Sequence, residues 1–343
     1  MNNLENPKKE IISFKNAIIL GLLIIVFSVL FLFINSNGVL TDIYTDLITP
    51  IVGILAVFCL IYAAKRSQIY GRQIFYAWIL IAIALLQYVI GDILWAYLEL
   101  VLQVQPFPSI ADIFYLIYYL LFIIGIFFML RPLDSPERVF KTILDAMIVV
   151  ISATLIFWNT IISVLIISHR EATWALSLSL YYIIRDFVIF MIVLNLTLRK
   201  VNKCGRNPLI LLLAAILVQF TTDTIFSYLF LQGYYKSGNL IDMGWLIFYV
   251  LMGLAGILQG NIATVDAENF ASLVHKPVKY MIFSFPVIWI TLAVFMFVWG
   301  YYNLSESNFY IIQIKVLIFF ILLLLRNTVT VNEDWQLKLK VKM

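Results

Sequence analysis

Runs of about 20 apolar residues recur from near the N-terminus to beyond residue 320, and each is long enough to cross a hydrocarbon core of about 30 Å. Nothing else in the chain constrains its fold so strongly. In lipid every backbone N–H and C=O must be satisfied inside the protein, which only helices and closed barrels achieve. Apolar runs of this length read as helices, so the expected fold is an all-α, polytopic integral membrane protein. Composition agrees, with 63% hydrophobic residues, 12% charged residues and a mean hydropathy of +1.00, where soluble domains are about half apolar. The formal charge of +4 then records basic residues in loops and gives no argument for nucleic acid.

Ten spans are expected, at about 16–34, 42–64, 74–102, 109–130, 139–168, 174–198, 208–232, 240–259, 280–300 and 308–325. The first is too long for a signal-peptide core and lacks a small-residue cleavage site. Pro208 opens the seventh, where a missing N–H costs nothing. Basic residues test the count. With the N-terminus inside, 19 of the 23 lysines and arginines fall in cytoplasmic segments, Arg170 and Lys236 fall outside, and Arg185 and Lys315 lie within helices. Losing one helix would scatter that bias. The chain is therefore expected in a membrane, with both termini cytoplasmic and the bilayer as its first partner. Cys59 and Cys204 have no metal spacing and read as free thiols on the reducing side.

The chain also repeats itself. GDILWAYLE ends the third span, and Asp92 is followed five residues on by Tyr97, as Asp223 is by Tyr228. DIFYLIYYLL from Asp112 returns as DMGWLIFYVL from Asp242, with five of ten positions identical and four more exchanged like for like. Internal similarity of this kind reads as two copies of one unit. The expected organisation is a short N-terminus (1–15), a four-helix repeat (16–131), a second (132–260), a cytoplasmic loop (261–279), a helix pair (280–326) and a tail (327–343). An even number of spans per copy makes the copies parallel, related by an axis along the membrane normal.

Equivalent residues then share a depth. Asp92, Asp112, Asp223 and Asp242 fall at the outer ends of their helices, joined by Asp42, Asp46 and Glu99. Asp92 and Glu99 are seven apart and share a helix face with Trp95. Asp186 lies deeper, about 18 Å from either end of its span. The adjacent Arg185 points about 100° away, so its partner is expected on another helix; Lys315 is the other cation within a span. Charges inside a membrane are costly and mark functional sites by default. One reading is an acid-rich cavity open to the exterior, walled by Trp95, Tyr97, Tyr115, Tyr119, Tyr228, Trp245 and Tyr249, suited to a cation, a protonated amine or a proton. The other is structural: Asp112 and Asp242 begin helices, where an acid caps the first turn, and aromatic residues are ordinary anchors at membrane boundaries.

GDILWAYLE, PFPSIADIFYLIYYLL, LSLYYIIRD and DMGWLIFYVLMGLAG together resemble the multi-helix membrane input regions that precede PAS, histidine-kinase or diguanylate-cyclase outputs in bacterial and archaeal signalling proteins. The resemblance covers roughly residues 16–326. It implies a sensor. No phosphoacceptor box, ATP-binding glycine motif or GGDEF-like stretch follows the tenth span. The tail RNTVTVNEDWQLKLKVKM is therefore expected to meet a PAS, kinase or cyclase partner on another chain, or to be the stump of a longer receptor; a homodimer is also compatible. Catalysis has little support. His169 and His275 lie outside the spans, on opposite sides, which disfavours haem, zinc or any other cofactor or metal. No hydrolase or Walker motif is present. Gly253 and Gly256 suit close helix packing. The competing class is a small-solute or cation transporter, which parallel repeats allow. Against it, the inner halves of the spans are nearly free of polar residues beyond Asp145 and Asn195, and Pro286 is the one weak sign of a broken helix.

Overall fold

A computed structural model describes residues 13–35, 38–129, 144, 147–148, 151, 174–198, 206–268, 294, 298, 302 and 312–328. Among these residues there is no strand. The chain forms two compact units, Met1–Arg131 with Thr173–Lys276, and Pro132–Ala172 with Pro277–Met343.

The first unit holds α1 (Phe14–Ile34), α2 (Val39–Arg66), α3 (Arg72–Ala96), α4 (Ala111–Met129), α5 (Trp174–Leu198), α6 (Arg206–Leu231) and α7 (Met243–Glu268). All seven are long and apolar enough to cross a membrane. The expected spans fall on them with ends shifted by a few residues. A π-helical turn, Tyr97–Val101, continues α3, and a short 3₁₀ turn, Leu240–Asp242, leads into α7. The expected fifth and ninth spans, with Asp145, His169, Cys204, His275 and Pro286, lie outside the described residues or nearly so. Asn195 falls on α5, without a described side chain. One expectation is corrected: the loop placed from residue 261 is still helix as far as Glu268. Asn261 and Thr264 are buried there, and the Tyr62 hydroxyl donates to the Asn261 side-chain Oδ1 at 3.0 Å.

Helices α2 to α7 close into a ring. α3 packs between α2 and α4, α7 between α2 and α6, and α5 lies on α6 with a lighter contact to α4. α1 leans on the outside, where Phe31 stacks on Tyr44 of α2 at 4.2 Å. Its other face, including Leu23, Phe27 and Phe33, is exposed, as a lipid-facing surface must be. Lipid tails are as apolar as leucine, so helices associate in membranes through close packing. Gly256 shows this, as the glycine spacing predicts: a Cβ there would lie 2.6 Å from the Cys59 carbonyl carbon of α2. Several hydroxyls inside helices are satisfied locally, as Thr45 onto Thr41 and Thr222 onto Val218.

The middle of the ring is packed and apolar. Trp78, Ile81, Leu85, Phe122, Ile126 and Phe248 are fully buried. Polar groups gather at the end where α2, α4, α5 and α7 begin and α3 and α6 finish. In the second unit, residues 312–328 are helical, and Ile312 and Val316 pack with Ile151. Lys315 belongs to that unit.

Candidate functional site

The four duplicated aspartates are held by donors from neighbouring elements. Asp92 on α3 accepts from Tyr115 on α4 at 2.9 Å and from Tyr249 on α7 at 2.6 Å. Asp223 on α6 accepts from the Trp245 indole on α7 at 2.7 Å and from Tyr119 on α4 at 3.4 Å. In the sequence match of residues 112–121 with 242–251, Tyr115 corresponds to Trp245 and Tyr119 to Tyr249. Each carboxylate is thus bonded by one ring from the next helix and one from the other matched segment.

Asp112 and Asp242 do a different job. The Asp112 carboxylate accepts the Ser109 N–H at 2.6 Å, while the Ser109 hydroxyl accepts the Ala111 N–H at 3.1 Å. This is the reciprocal pattern of a capping box. Its second oxygen takes the Tyr182 hydroxyl of α5. Asp242 likewise accepts the Gly238 N–H at 2.7 Å and the Tyr235 hydroxyl at 3.0 Å. Burial, ahead of the nearby Asp242 carboxylate, holds the Tyr235 phenol well above its usual range, so it stays a donor. Both acids reach back to the loop before their helix rather than to their own first turn.

Arg185 is corrected in part. Its nearest partner is the adjacent Asp186, at 3.0 Å, and the expected cross-helix carboxylate is Asp223, at 3.6 Å. A long side chain can fold back over its neighbour, which the angle between adjacent residues does not capture. The guanidinium lies over the Tyr119 ring, 3.0 Å from its centroid, and 4.3 Å from that of Tyr182. Behind it, Tyr118 donates to Gln219 and Gln219 to Tyr119, at 3.1 and 2.6 Å.

These groups surround a cavity of ≈ 80 Å³. Its wall includes Asp46, Asp92, Asp112, Asp223 and Asp242, with Arg185 as the one basic member among the described residues. Trp95, Tyr115 and Trp245 line it as expected, whereas Tyr119 and Tyr249 stand behind the aspartates they serve. Tyr97 and Tyr228 are excluded, being 50% and 46% exposed. Glu99 sits beside the wall, accepting from the Trp95 indole at 2.8 Å and from Ser237 at 2.7 Å; it pairs with Trp95 rather than with Asp92. Tyr88, Phe107, Tyr182, Phe226 and Tyr235 also line the cavity and were not singled out by the sequence. Tyr88 carried a signal in hindsight, lying four residues, one helical turn, before Asp92.

No family model, curated protein or solved structure matches this chain. The site stands on its own geometry. Carboxylates, a buried guanidinium and aromatic rings in one wall are groups that can hold a small polar molecule.

Proposed function

We propose that the chain is the membrane-embedded input module of a signalling protein, a receptor whose cavity takes a small ligand. In this reading ten helices form two parallel four-helix repeats and a C-terminal pair in a prokaryotic plasma membrane. The cavity faces outward, and the cytoplasmic tail passes the signal to a PAS, kinase or cyclase output. The observation that carries it is the crosswise sharing of donors: Asp92 is held by Tyr249, and Asp223 by Tyr119. Both carboxylates line the cavity, so a molecule held there lies beside both and biases how one half sits on the other. A two-state element biased by a ligand is what a sensor needs. The fully buried layer from Trp78 to Phe122 argues against a continuous polar path.

The second reading, a transporter, is favoured by Pro50, which lies inside the continuous helix α2 at the cavity wall and leaves one backbone carbonyl there without its helical donor. Proteoliposomes containing the full chain, challenged with radiolabelled amino acids and small amines, separate the two. Saturable binding without accumulation is expected. Accumulation with time, abolished by Asp186→Asn, would overturn the sensor reading.

A further inference from the structure

We propose that the ligand is a small amino acid, bound as a zwitterion with its ammonium group on Asp46 and its carboxylate on Arg185. This rests on the reading of the cavity as a ligand site. The four duplicated aspartates are poor candidates for the primary contacts, because every one of their carboxylate oxygens already receives a donor from the protein. Two groups of the wall are left over.

The first is Asp46. Its Oδ2 is buried with no partner among the described residues. The charged groups acting most on it are all carboxylates, Glu99, Asp242, Asp42 and Asp92, so the site asks for positive charge. Pro50 has no N–H, and the Asp46 carbonyl therefore lacks its helical i+4 donor. Two acceptors on one residue suit an ammonium group with three donors. The second is Arg185, whose side chain is 6% exposed. Its Nε and Nη2 are taken by Asp186, and its Nη1 is buried without a partner among the described residues.

Buried polar groups without partners are uncommon in native proteins, and Asp46 and Arg185 are the two of this kind in the cavity wall among the described residues. A simple amine would answer Asp46 and leave Arg185; a simple acid would do the reverse. A zwitterion answers both and leaves the balance of charge in the cavity unchanged. At about 10–15 Å³ per water-sized occupant, the cavity has room for roughly five to eight non-hydrogen atoms, the size of glycine to valine or of a short ω-amino acid. Tyr88 and Trp95 in the wall suit an ammonium group over a ring face.

Isothermal titration of the full chain in lipid nanodiscs tests this, with glycine, alanine, valine, β-alanine and γ-aminobutyrate set against ethylamine, isobutylamine, acetate and isobutyrate. At least one amino acid should bind about tenfold or more tighter than the amine or acid of matching skeleton, since a site built to hydrogen-bond a group rejects analogues lacking it. Asp46→Asn, which removes no described hydrogen bond, should melt like the parent and weaken that binding by about tenfold or more. Arg185→Lys, which keeps the charge and loses the fork, should weaken it too. An amine binding as tightly as any amino acid would overturn the proposal in favour of a cation site, and an acid doing so in favour of an anion site. No binding by the whole panel would also overturn it, while the accumulation assay still judges the sensor reading separately.

Discussion

Arg185 is the residue on which most of the site's electrostatics converges. It is 7% exposed, pairs with Asp186 and Asp223, and lies over Tyr119 and Tyr182. Removing one member of a buried pair leaves its partner uncompensated, so Arg185→Met should destabilise the protein by about 3–5 kcal/mol. Adding Asp186→Asn and Asp223→Asn to that variant should recover much of the loss, because the stranded acids are then gone. Denaturant melts of the single and triple variants check both; equal stability of the two would show that the pairs contribute little. The sequence made these residues visible, because charges are conspicuous in apolar helices. It could not show which were spoken for. Asp92 and Asp223 owe their hydrogen bonds to Tyr115, Tyr119, Trp245 and Tyr249, each on another helix. Asp46 looks like one more acid until its Oδ2, with no such donor among the described residues, sets it apart.

At the scale of the element, α2 carries the most informative irregularity. Pro50 sits inside the helix and in the cavity wall, and an interior proline removes a helical hydrogen bond and crowds the preceding turn. Pro50→Ala should restore the bond onto the Asp46 carbonyl and raise stability by up to about 3 kcal/mol. It should also weaken ligand binding, by occupying one of the acceptors at Asp46. Thermal melting and titration on the same preparation check the two opposed effects; a loss of stability would mean that the local packing depends on the proline ring. Helix positions were legible because apolar length alone dictates them. Helix ends were not. α7 runs on past Gln259 because Tyr62 satisfies Asn261 and the ring buries Thr264. Polar residues at that depth end a helix only where water, rather than another helix, meets them.

For the whole molecule, the placement of charge predicts which end of the ring faces out. Lys65, Arg66 and Arg72 mark one end, and the cavity and the exposed Tyr234 mark the other. In a chain with both native cysteines replaced, Tyr234→Cys should react with a membrane-impermeant maleimide in intact cells. Lys65→Cys should react only after permeabilisation. The reverse pattern would turn the cavity toward the cytoplasm and remove the case for an external stimulus. The membrane class and the positions of the first unit's helices followed from hydropathy; the closure of α2 to α7 into a ring did not, because lipid-facing and helix-facing sides are equally apolar here. One detail of that ring has a spectroscopic consequence. Of the eight tryptophans in the chain, Trp95 and Trp245 line the cavity with their indole N–H groups bonded to Glu99 and Asp223. Indole emission responds to nearby charge and polarity, so an arriving molecule changes the light these two rings emit. The protein thus carries two fluorophores of its own in the wall of the proposed site.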